Sequence, residues 1–118
     1  MIAVIFEVEP ARGQQEHYLD IAAGLKQSLE SIDGFISVER FQSLTNEGKI
    51  LSLSFFRDEE AITAWRTTQE HRMAQSAGRG GVFENYRLRV ANVIRDYGKF
   101  ERDGAPPDSK QVHDQSPS

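Results

Sequence analysis

The sequence predicts an α+β fold, with four antiparallel strands and two helical regions lying on one face of the sheet. Three observations carry this. Residues 2–9 alternate between two faces as a strand does. Residues 14–32 repeat apolar side chains at the spacing of a helix. Two further strand-like runs flank the turn Thr45-Asn46-Glu47-Gly48.

Each element follows in order. In the first strand Ile2, Val4, Phe6 and Val8 share one face, and Ala3, Ile5, Glu7 and Glu9 the other. Pro10 and Gly13 break it. Tyr18, Ile21, Ala22, Leu25, Leu29 and Ile32 then form one stripe of a helix over residues 14–32, which Asp33-Gly34 ends with a left-handed stop. Residues 35–43 and 49–56 are the second and third strands, joined by the Asn-and-Gly turn. Asp58, Glu59 and Glu60 supply acceptors and negative charge for a helix start, so a helix runs from about Glu59 through Trp65. Thr67 followed by Glu70 matches a capping box, so the helical region is expected to break near Thr67 and restart. Gly78, Gly80 and Gly81 end it, and residues 84–97 make a long last strand. The order β-α-β-β-α-β is the ferredoxin-like, or split βαβ, arrangement.

The chain of 118 residues fits one domain, read as residues 1–100, with a polar, proline-containing tail at 101–118 that cannot offset its own ordering entropy unless a partner holds it. No run of 18 apolar residues suggests a membrane span, and the start has no basic region of a signal peptide, so the expected compartment is the cytoplasm. Cysteine is absent, which excludes disulfides, zinc–thiolate and iron–sulfur sites and thiol catalysis. With 14 basic and 18 acidic residues the net charge is -4, which argues against nucleic acid as a partner. Six arginines between Arg66 and Arg95 are interleaved with Glu70, Glu84 and Asp96 and read as surface and interface ion pairs. Ala3 and Ile5 oppose Val4 and Phe6, and Ala91 and Val93 oppose Val90 and Ile94, so parts of the first and last strands are apolar on both faces. A second copy of the sheet is the simplest cover, giving a homodimer packed face to face.

The stretch DEEAITAWRTTQEHRMAQSAGR, followed by YRLRVANVIRDYG, resembles the antibiotic biosynthesis monooxygenase family of dimeric α+β barrel proteins. The matching positions are Glu59, Glu60, Ala64, Trp65, Arg66, His71, Ala74, Gln75, Gly78 and Arg79, then Arg95, Asp96 and Tyr97, with Phe35–Phe41 as a typical second strand. The resemblance implies a cofactor-free monooxygenase that binds a small aromatic phenol or quinol, removes a proton and lets the anion meet dioxygen, with no flavin or metal.

On that resemblance His71 is the candidate general base and Trp65 the cleft wall against a flat substrate, the two candidate catalytic residues. Trp65 also reads as a core residue between helix and sheet, and His71 as a solvent-side or capping histidine. Tyr86, Gln69 and Gln75 are candidate substrate-binding groups; their other readings are an interface tyrosine and surface glutamines. His17 and His113 receive no role, and three separated histidines without a matched carboxylate make no metal site. Glu39 and Arg40 on the second strand are assigned no chemistry. Haem degradation is a weaker alternative, because Ala74 and Gln75 stand where that branch has its ligand histidine and Phe6-Glu7 where it has an asparagine. A non-catalytic dimer that binds a small hydrophobe or serves a stress response is an alternative from another class, and a lactone or sugar-phosphate isomerase is a fourth.

Overall fold

The computed structural model describes residues 1–67, 81 and 83–106. Its elements are β1 (Ile2–Pro10), α1 (Gln15–Glu30), β2 (Phe35–Gln42), β3 (Ile50–Phe56), a helix described over residues 59–67 and here called α2, and β4 (Phe83–Asn92). The strands form one antiparallel sheet in the order β2-β3-β1-β4, the ferredoxin-like α+β arrangement. No described helix is long and apolar enough to cross a membrane.

The pleat sorts the side chains into two faces. On the helix-covered face, register pairs line up in rows across the sheet: Phe35–Phe56–Ile2–Asn92, Val38–Ser54–Val4–Val90, Arg40–Ser52–Phe6–Leu88 and Gln42–Ile50–Val8–Tyr86. Ile2, Val4, Phe6, Val8, Ile50 and Phe56 are all buried there, which follows from the alternation. Tyr18, Ala22, Leu25 and Leu29, the stripe of α1, close over them. The opposite face carries Ile5, Leu51, Leu53 and Phe55, each half-buried, with Phe41 exposed. Arg89 donates to Glu7 at 3.1 Å at the border of this strip.

The connections obey local chemistry. Gly34 has φ +96°, and a Cβ there would come 2.9 Å from the Ala61 Cβ, so glycine is needed both for the turn and for the approach of α2. The Arg57 N–H donates to the Gly34 carbonyl at 2.7 Å, and its guanidinium joins Asp33 and Asp58. Asp58 caps α2: its Oδ1 accepts the Ala61 N–H at 3.0 Å. In the hairpin, Asn46 Oδ1 accepts from the Gly48 N–H at 3.1 Å and Asn46 Nδ2 donates to Glu9 at 3.2 Å, tying the turn to the end of β1.

Two details differ from the pattern along the sequence. β4 ends at Asn92 rather than at Tyr97, because its partner β1 begins at Ile2, opposite Asn92; the Val93 N–H closes the ladder on the Met1 carbonyl at 3.0 Å. The chain then folds back on itself. The Gly98 N–H donates to the Glu101 carbonyl at 2.7 Å, Arg102 donates to the Gly98 carbonyl at 3.0 Å and lies over the Tyr97 ring, and Ala105 is buried. Gly104 packs so closely on the Asp96 backbone that a Cβ would lie 2.6 Å from its carbonyl oxygen. Residues 101–105 thus pack back on residues 96–98, the segment that follows β4.

Candidate functional site

The helix-covered face holds two aromatic groupings. In the first, Trp65 on α2 packs on Phe56 of β3 with ring centroids 6.1 Å apart, among Ile2, Val4, Leu29, Ala61 and Ile62. Trp65 is only 3% exposed. The Asp58 cap sets the start of α2, and the stripe Ala61, Ile62, Trp65 turns its indole inward. Thr67 is still helical, and its hydroxyl donates back to the Thr63 carbonyl at 3.1 Å.

The second grouping lies toward the C-terminal end of β1. The rings of Phe6, Tyr18, Phe83 and Tyr86 form a chain of contacts at 5.8–6.1 Å between centroids. Tyr86 is its open end, 61% exposed. Tyr18 is buried, and burial pushes its phenol above the ordinary tyrosine value while the neighbouring Arg40 guanidinium and its hydrogen bond pull the other way. Arg40 comes from β2, stands opposite the small, buried Ser52 and donates from Nη2 to the Ala22 carbonyl of α1 at 3.2 Å. Its Nε is shut off from solvent and has no hydrogen-bond partner.

Of the residues singled out from sequence, Trp65 and Tyr86 are described, and they belong to the two different groupings, with the Leu88 side chain packed against both. His71, Gln69 and Gln75 lie outside the described residues, as does the Glu70 half of the capping box. Among the described residues no three His, Asp or Glu come together as a metal ion would require. Sequence reasoning passed over Arg40. Its signal was the alternation of β2, which puts Arg40 on the same face as Val38, opposite a serine small enough to admit a long side chain.

Comparison with known proteins agrees with this architecture. Residues 1–77 match the model of the antibiotic biosynthesis monooxygenase family. A jasmonate monooxygenase of the fungus Pyricularia oryzae is 54% identical over 93 residues, which are 79% of this chain and 43% of that protein, so the chain spans less than half the length of this relative. Among solved structures, Rv0793 from Mycobacterium tuberculosis superposes with a TM-score of 0.70 at 16% identity, over 82% of this chain and 98% of its own. MhuD with manganese protoporphyrin IX bound superposes at 0.67 and 17% identity, over 83% of this chain and 99% of its own. At such identities these two structures share the fold. With the family match over residues 1–77, the chain belongs to the antibiotic biosynthesis monooxygenase family.

Proposed function

We propose that this protein is a cofactor-free monooxygenase acting on a small cyclic molecule that gives up a proton to form a stabilised anion: a phenol or quinol, or a cyclic ketone acid such as jasmonate. The observation that carries this reading is the 54% identity to a jasmonate monooxygenase across most of the chain. In the reaction, a base removes a proton from the substrate, and the carbanion or phenolate gives electrons to dioxygen. The carbon–oxygen bond forms a peroxide, and loss of water leaves a carbonyl. One CH2 and one O2 thus give one C=O and one H2O, with all four electrons supplied by the substrate.

The protein would bind the ring, take the proton and exclude bulk water. Tyr86, exposed beside Phe6 and Phe83, is the proposed contact for the substrate ring. Trp65 is proposed as the inner wall, held rigid by Phe56. His71 is the proposed general base, and Gln69 and Gln75 the groups that hydrogen-bond a substrate oxygen. The exposed Phe41 and half-buried Leu51, Leu53 and Phe55 of the open sheet face support a homodimer packed through that face. A dimer measured by sedimentation that Leu53→Asp converts to monomer is the expected result.

Oxygen uptake with a panel of hydroquinones and jasmonic acid tests the function. Wild type should consume oxygen with at least one of them, and His71→Ala should lower kcat by roughly 10²–10⁴-fold, as loss of a general base does. Trp65→Phe should retain the fold and lower turnover. Ligand binding without oxygen uptake across the whole panel would instead favour the non-catalytic reading, and turnover under argon an isomerase.

A further inference from the structure

Two described arginines pair with carboxylates: Arg57 reaches Asp33 at 3.2 Å and Asp58 at 3.0 Å, and Arg89 reaches Glu7 at 3.1 Å. Arg40 has none. It is half-buried beneath α1, its Nη2 rests on the Ala22 carbonyl, the Tyr18 phenol stands beside it, and its Nε–H is sealed from solvent with no acceptor. No described carboxylate pairs with it. Buried donors are nearly always satisfied, and a guanidinium without a counter-charge is the least comfortable group to leave in a protein interior. An Nε–H and one terminal N–H form a fork that fits the two oxygens of a carboxylate.

The position of this fork relates it to the aromatic group. Arg40, Ser52, Phe6 and Leu88 stand in one row across the sheet, and Tyr86 lies in the adjacent row on the same face. At about 4.8 Å between strands, Arg40 and the ring-bearing strands β1 and β4 are separated by roughly 10–15 Å at the backbone, a gap that the long Arg40 side chain shortens. Tyr18 touches both sides, with its ring on Phe83 and its hydroxyl toward Arg40.

We infer that Arg40, with the Tyr18 hydroxyl beside it, is the anchor for a carboxylate on the substrate, so that this protein takes ring compounds carrying an acid side chain in preference to their neutral counterparts. The inference rests on the proposed function for the location of the ring, and it narrows the substrate class from any phenol, quinol or cyclic ketone to one bearing a carboxylate. Arg40 is a binding residue in this scheme. It removes no proton.

Calorimetric titration in the absence of turnover separates this inference from the oxygenase reading. The probes are two acid–ester pairs, jasmonic acid with methyl jasmonate and 2,5-dihydroxyphenylacetic acid with its methyl ester, added under argon. Wild type should bind at least one acid about tenfold or more tightly than its ester, the value of a hydrogen bond to a charged group. Arg40→Gln should bring acid and ester to within about twofold of each other, with the ester's affinity little changed. Arg40→Lys, which keeps the charge and loses the fork, should restore part of the preference. Tyr18→Phe serves the same purpose should Arg40→Gln fail to fold, and should weaken the acid alone. Acids that bind no better than their esters in wild type, or a preference that survives in folded Arg40→Gln, would overturn the assignment. Acid-selective binding without oxygen uptake would leave the anchor in place and remove the oxygenase reading.

Discussion

The two aromatic groupings on the helix-covered face are built from similar rings and differ in what surrounds them. Trp65 and Phe56 belong to a cluster of buried apolar side chains, and the indole is all but inaccessible. Around Phe6 and Phe83 there is a buried phenol, a guanidinium with an unanswered donor and a tyrosine open to solvent. The first grouping is what a domain of this size needs for stability. The second spends stability on polar groups that packing alone does not require, and that contrast is the basis on which we propose it as the end that meets a ligand.

Removing rings from the closed grouping should produce the largest loss. Trp65→Ala should destabilise the fold by about 3–5 kcal/mol in chemical denaturation, as truncation of a buried aromatic does. A loss under about 1 kcal/mol would mean that the site is loosely packed and that the contrast fails. Next comes Gly34→Ala, which strains the backbone at φ +96° and presses on Ala61, the residue that starts the stripe carrying Trp65. It should cost roughly 1–3 kcal/mol, read as a lower denaturation midpoint.

Asp58 gives a smaller effect with a pH signature. The Ala61 N–H first, and then Arg57, hold its carboxyl below the ordinary aspartate value. Folding therefore favours the charged form. The stabilisation is fully present above the unfolded-state value of about 3.9 and is lost as pH falls through the lower folded-state value. Asp58→Ala should lower Tm modestly at pH 7, and its deficit against wild type should shrink as the pH is taken below that range. The least effect on stability belongs to Tyr86→Ala in the open grouping, under about 1 kcal/mol for an exposed side chain. It should instead raise KM for a ring substrate. A large fall in Tm with unchanged KM would reverse the roles assigned to the two groupings.

Much of the architecture was legible because it rests on short-range rules. The alternation of β1, the stripe of α1, the Asn46–Gly48 turn and the Asp58 cap each depend on a few neighbouring residues, and each is present. What depends on distant partners was not legible. The end of β4 is set by where β1 starts, and the fold-back at 96–105 by backbone packing of Gly104 on Asp96. For the candidate site, helical spacing turns Trp65 toward the sheet but does not say whether a ligand also reaches it. Strand alternation likewise puts Arg40 on a face without saying that α1 will cover it, so a residue that looks like ordinary surface charge in sequence proves half-buried.

The most direct test of the proposed chemistry is mass spectrometry of the product formed under 18O2 by the purified protein with no flavin, haem or metal added. One labelled oxygen in the product of a carboxylate-bearing quinol or ketone is the expected result. Products without label from every substrate that is turned over, or labelling that requires added haem, would contradict it.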